Sequence, residues 1–162
     1  MALTQNQIGE IGEAIFKVRI LQDGLIDDVF FMGEKAKACD FMCSFADNNT
    51  TYNFLVQVKA TITGYNKTNR NLKVRINKTT IDRLESNIIP TYIAGVDIID
   101  EKVYLWGVFS QQTNIPSLPI NYMLEMHNPN NVNIINRLKE DVIRYWTNHN
   151  PQPKLTYQSL MV

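Results

Sequence analysis

The sequence predicts an α/β domain with helices at both ends, and three observations point there. Apolar residues recur at helical spacing near each end of the 162-residue chain. Between them lie short apolar or alternating runs separated by clusters of turn-forming residues, the pattern of strands. No internal repeat or linker breaks the order, so residues 1–162 read as a single domain.

The elements follow in order. Gln5 to Gln22 reads as a helix whose stripe is Ile8, Ile11, Ile15 and Val18, with Phe16 and Ile20 off the stripe and a second side therefore covered. Thr4 is its N-cap, Gln7 completes a capping box, and Asp23-Gly24 ends it. Strands are expected at Val29 to Met32, Cys39 to Ala46 and Tyr52 to Ala60, the last two joined as a hairpin by Asp47-Asn48-Asn49-Thr50. Gly64 to Asn71 is polar and turn-rich. Leu72 to Ile76 alternates apolar and basic residues, as an exposed strand would. Thr79 to Asn87 reads as a short helix stopped before Pro90. Two more strands, Thr91 to Ile99 and Val103 to Phe109, flank the Asp100-Glu101-Lys102 turn. Pro116 and Pro119 interrupt the chain. Asn131 to Asn148 closes it as an amphipathic helix using Ile134, Ile135, Leu138, Val142, Ile143 and Trp146, and the tail after Pro151 carries little signal.

Composition narrows the function classes. No run reaches the roughly 18 apolar residues of a membrane span, and the first residues lack the basic-then-apolar pattern of a signal peptide. A cytoplasmic protein without membrane contact is expected. Cys39 and Cys43 read as small buried hydrophobes, since a zinc site needs further ligands and the only histidines, His127 and His149, are far off in sequence. The formal net charge is +0, but residues 59–83 carry seven basic side chains against Asp82 alone, a local charge of +6. Lys67, Arg70, Lys73, Arg75 and Lys78 in this segment are the candidate nucleic-acid contacts, interleaved with Asn66, Asn69, Asn71 and Asn77. A solvated hairpin with scattered charge is the duller alternative.

The residues with chemical potential centre on Val56-Gln57-Val58-Lys59. Alternation on a strand sends Val56 and Val58 to the core and Gln57 and Lys59 together to the opposite face. Asp40, in the preceding apolar run, supplies a carboxylate for a hard cation such as Mg²⁺ or Mn²⁺, and the Gln57 amide and the Val58 carbonyl are further oxygen ligands. Lys59 then stabilises charge on a phosphate. Glu13 or Glu10 from the first helix completes the cation's shell or accepts a proton from water. That set suggests phosphodiester hydrolysis. Asp97 is read as a turn residue and Trp106 and Trp146 as core residues, and neither histidine is assigned any chemistry.

At these residues the chain resembles the PD-(D/E)XK, or restriction-endonuclease-like, nuclease superfamily. Gly9-Glu10-Ile11-Gly12-Glu13, with Leu21 and Gly24 downstream, is similar to the first helix of its Mrr and Holliday-junction-resolvase branches. Gln57-Val58-Lys59 resembles the Q-x-K form of its motif. The wider layout, with Pro90 to Asp97 and Tyr104-Leu105-Trp106, looks like domain-of-unknown-function family 4365, and the likeness covers about residues 5–110, ahead of the helical segment at about 130–148. The resemblance implies a helix, a mixed sheet and a second helix, with the metal at one end of the sheet. It implies that Asp40 is the metal-binding acid, that Gln57 stands where an acid is commoner, that Lys59 is the motif lysine and that Glu13 is the helix glutamate. Cys39, rather than proline, precedes Asp40.

A Mg²⁺-dependent deoxyribonuclease in restriction, repair or phage defence is the function so implied. The residues do not distinguish DNA from RNA, and self-association or a partner protein supplying specificity stays open. The competing reading is a catalytically inactive nucleic-acid-binding or assembly module on the same fold, because a glutamine in place of an acid weakens the cation site.

Overall fold

The computed structural model describes residues 2–33, 39–108 and 113–149. Ala38, Phe109 and the tail after Pro151 lie outside these residues. The order is α1 (Gln5–Leu21), β1 (Asp28–Phe31), β2 (Phe41–Asp47), β3 (Thr50–Thr61), α2 (Lys78–Glu85), β4 (Thr91–Asp97), β5 (Lys102–Gly107), β6 (Met123–Leu124) and α3 (Asn131–His149). The strands form one six-stranded mixed sheet in chain order. Every neighbouring pair is antiparallel except β3 and β4, which run parallel and are joined through α2. Among the described residues, no helix is long and apolar enough to cross a membrane.

Local chemistry accounts for the framework. Thr4 and Gln7 form the reciprocal capping box, at 3.2 Å and 2.9 Å. Asn48 and Asn49 both take positive φ, 47° and 63°, the two-residue turn whose twist suits a hairpin, and this sets the register of β2 on β3.

One face of the sheet is covered by α1 and α3. Phe16, Ile20, Phe41, Phe54, Val56, Ala94, Leu105, Ile135 and Val142 form its core. The expected stripe of α1 is corrected here. Phe16 and Ile20 are fully buried, Ile11 and Ile15 only half so, and Val18 is 55% exposed. The reason is Gly12, where a Cβ would overlap that of Ala60, so the helix meets the sheet along the line Ile8, Gly12, Phe16 and Ile20. Burying each of Phe16 and Ile20 contributes about 1.5–3 kcal/mol.

The opposite face is covered by α2 and by two extended segments. The expected exposed strand at Leu72 to Ile76 is also corrected. Leu72, Val74 and Ile76 are buried while Lys73 and Arg75 are exposed, and isolated bridges join Leu72 to Leu118 and Ile76 to Ile115. The alternation is real, but its apolar side lies on the sheet. Gly95 makes room for this cover, since a Cβ there would collide with Leu118 and come within 2.9 Å of Leu72.

Candidate active site

The site forms where β3 outruns β2. β2 pairs with β3 only as far as Phe41 opposite Val56, while β4 supports β3 from Leu55 to Thr61. Backbone groups of alternate β3 residues face the β2 side, so beyond Val56 the N–H and carbonyl of Val58 have no strand partner there among the described residues. Asp40, one residue before β2, fills that position. Its N–H donates to the Val56 carbonyl at 3.0 Å and its carbonyl accepts from Met32 N–H at 2.8 Å, which locks its backbone between β1 and β3. Its Oδ2 accepts from Val58 N–H at 2.6 Å and from Gln57 Nε2 at 2.5 Å.

Parity puts Asp40 on the same face as Gln57 and Lys59, away from α1, because Met42 and Leu55 pack in the second cluster and Phe41 and Val56 in the first. Burial pushes the Asp40 carboxyl up from its usual range, while the Val58 N–H, the Lys59 charge and the Gln57 amide pull the other way. Glu13, on α1, is half-buried. Its carboxyl is also raised, first by burial, then by the negative charge of Asp40, then by Glu10. Asp40, Gln57, Val58 and Lys59 therefore come together at one end of the sheet, while Glu13, on the α1 side, is near enough to feel the Asp40 charge. Glu10, the alternative helix acid, is exposed. Neither Glu13 nor Lys59 hydrogen-bonds Asp40 among the described residues.

A cleft of about 320 Å³ continues from this point along the overhanging end of β3. α1 lines it with Gln5 and Ile8, the end of β3 and the two residues after it with Lys59 to Thr63, and the covering segment with Lys73 and Arg75. Two of the five candidate nucleic-acid contacts thus share a cleft with Lys59. Lys67 and Arg70 are exposed on the preceding loop, where Arg70 takes positive φ, and do not line it. Lys78 is engaged elsewhere, in an ion pair with Asp82 at 2.6 Å.

The donor set is all oxygen, as Mg²⁺ or Mn²⁺ requires, with two carboxylates close enough to repel. Among the described residues no group of three His, Cys, Asp or Glu side chains is arranged for a metal, so neutral oxygens must complete the shell. The Val58 carbonyl is the candidate for this, its side-chain contact among the described residues being a long hydrogen bond from Gln57 Nε2 at 3.4 Å. Gln57 turns its amide nitrogen, not its oxygen, toward Asp40 and Val58. The residues fit a hard cation once that amide rotates by half a turn.

Other polar groups have structural partners. Asp97 is 2% exposed and closes the turn after β4 by accepting from Ile99 N–H at 3.1 Å, and after burial and Tyr104 it helps to raise the pKa of Tyr65. Trp146 Nε1 donates to the Asn53 carbonyl at 2.9 Å. Trp106 packs on the second cluster, its Nε1 buried and without a partner among the described residues. A cavity of about 440 Å³ lies away from Asp40 between α3 and β4–β5, and its Asp141 is held by the Tyr92 hydroxyl at 2.6 Å. Arg19, which the sequence reading left aside, is buried and reaches Glu101 at 2.9 Å. Met32 was also missed, for its place beside Asp40 is a matter of register that no local sequence signal carries.

No protein-family model matches this chain, and a search of the curated proteins finds no match.

Proposed function

We propose that this protein is a cytoplasmic, divalent-cation-dependent phosphodiesterase of the PD-(D/E)XK kind that cuts DNA. The observation that carries the reading is the meeting of Asp40 with Gln57, Val58 and Lys59 at the open end of β3, beside a cleft lined by Lys73 and Arg75. Asp40, the Val58 carbonyl and the Gln57 amide oxygen would hold Mg²⁺ or Mn²⁺, which leaves Glu13 for the role of base. When bound, such a cation supplies neutralisation of phosphate charge and acidification of water.

The chain's own residues do the rest. Lys73 and Arg75 hold the phosphate backbone along the cleft. Lys59 places its ammonium where charge accumulates on the phosphate under attack. Glu13, its basicity increased by burial and by Asp40, accepts the proton that leaves water as the new P–O bond forms and the old one breaks. In the test, Asp40→Ala and Lys59→Ala each abolish nicking of plasmid DNA in magnesium or manganese without altering the circular dichroism spectrum. Wild-type rates in both variants would sink the assignment. An RNA of matching sequence, run in parallel, decides between the two nucleic acids.

One observation favours a second reading, a catalytically inactive module that binds nucleic acid. The Gln57 amide nitrogen already bridges Asp40 Oδ2 and the Val58 carbonyl, doing with hydrogen bonds what a cation would do. That reading expects salt-sensitive DNA binding through Lys67, Arg70, Lys73 and Arg75 with no metal requirement. Titration calorimetry with Mg²⁺ separates the two, since only an enzyme gives a binding heat that Asp40→Asn removes.

A further inference from the structure

β1 is an edge strand that the phosphodiesterase reading leaves unexplained. Phe30 is 52% exposed, Phe31 56% and Met32 40%. Edge strands are ordinarily protected by charge or proline, and contiguous exposed aromatics mark a surface that binds something. The place of this surface says what. Phe30 is opposite Met42, Phe31 is opposite Phe41, and Met32 N–H donates to the carbonyl of Asp40 itself. Alternation therefore puts Phe30 and Met32 on the face that carries Asp40, Gln57 and Lys59. Phe31 points to the α1 side, its ring 5.6 Å from that of Phe41.

The candidate site thus has two unlike flanks. On the β3 side stand Lys59, Lys73 and Arg75, complementary to phosphate. On the β1 side, two strands or roughly 10 Å away, stands an exposed aromatic ring with an apolar neighbour. A nucleic-acid strand has that same division between a charged backbone and the apolar faces of its bases. In a duplex those faces are covered by the neighbouring base pairs, and only an unpaired base offers one to an aromatic side chain.

We propose that Phe30, with Met32 beside it, is a base-stacking platform, and that the strand bound here is single-stranded, its backbone against Lys73 and Arg75. The location rests on the phosphodiesterase reading, but the test needs no cleavage.

The test is fluorescence anisotropy of the full chain in EDTA, with a short labelled oligonucleotide as single strand and as duplex. The single strand should bind at least about tenfold tighter, and Phe30→Ala should weaken it about tenfold while leaving duplex binding unchanged. Phe30→Trp should keep the wild-type affinity. Phe30→Leu, which preserves apolar bulk without a π face, should behave as Phe30→Ala does. Equal affinity for the two forms, an unaffected Phe30→Ala, or full binding by Phe30→Leu would overturn the proposal. So would a wild-type dimer in sedimentation that Phe30→Ala dissolves, for the edge would then join two copies of this chain. Binding that depends on Phe30 without any cleavage by the wild type defeats only the hydrolytic reading. Cleavage of duplex that Phe30→Ala leaves intact defeats only the platform.

Discussion

Gly9 and Gly12, three residues apart in the same helix, should respond oppositely to alanine. Each replacement raises intrinsic helix stability by about 0.8–1 kcal/mol. At Gly9 no atom lies within 4 Å of the new Cβ, so Gly9→Ala should be more stable than the wild type by about that amount. At Gly12 the new Cβ overlaps that of Ala60, with Ala60 Cα at 3.6 Å and Val96 Cβ at 3.8 Å. A methyl group on a paired strand cannot rotate away, so α1 must retreat from β3. Overpacking of this kind costs about 1–3 kcal/mol, which outweighs or cancels the helix gain. The two variants should therefore differ by about 1–3 kcal/mol, or about 2–12 °C in thermal midpoint for a domain of this size. Circular dichroism melts of the pair read this directly. Because Gly12 precedes Glu13, a retreat of about 1 Å should also lower turnover of the proposed phosphodiesterase about 100-fold in Gly12→Ala alone. Two variants that melt together would refute the claim that Gly12 sets the distance between helix and sheet.

Three further outcomes follow from the site and its surroundings. Gln57→Glu adds a negative ligand where a neutral amide now hydrogen-bonds Asp40, and should tighten Mg²⁺ binding by about tenfold, or about 1.4 kcal/mol, in titration calorimetry; no change would place Gln57 outside the shell. Glu13 has a raised folded-state pKa, so the stability it contributes is full below its unfolded value and is lost as pH rises through the folded value. Glu13→Gln should accordingly melt higher than the wild type at pH 7, with the advantage gone below about pH 4; the same difference at both pH values would contradict this. Burial, aided by Asp40, pushes the Cys39 thiol up to about 11, and burial raises Cys43 further. Both should resist Ellman's reagent at pH 8 until denaturant is added, whereas prompt native labelling would mean that the Cys39–Asp40 segment opens readily.

Much of the fold was legible because its signals are local. The Thr4–Gln7 capping box, the Asn48-Asn49 hairpin and the apolar stripe of α3 depend on residues close in sequence, and each element begins or ends within a few residues of its expected bounds. Two errors share a different cause. Ile11, Ile15 and Val18 looked like the buried stripe because hydrophobicity alone was counted, yet contact is decided by where a helix can come closest, and that is at a glycine. Leu72 to Ile76 reads as exposed from Lys73 and Arg75, whereas its other side is pressed onto Gly95 by residues about forty positions later. β6 is two residues long and carries no period for a sequence reading to detect.

The proximity of Asp40, Gln57 and Lys59 was legible from the sequence, and the setting of this candidate site was not. The parity of Gln57 and Lys59 follows from the strand itself, and the choice of Asp40 needs only the next strand. What parity leaves out is that β3 continues beyond its partner. In a sheet of equal strands, the Val58 N–H and carbonyl would be consumed by the ladder and Asp40 would have no groups to meet. The Asn48-Asn49 turn fixes the pairing so that β2 begins at Phe41, and β4 keeps the unpaired end of β3 straight from Val58 to Thr61. Unequal strand lengths thus leave the Val58 backbone to side chains rather than to a strand, and they border the cleft that Lys73 and Arg75 line. They also bring the end of β1, with its exposed aromatic edge, against Asp40. The carboxylate, the amide and the lysine owe their common address to where β2 starts, a property of pairing between distant residues rather than of any motif.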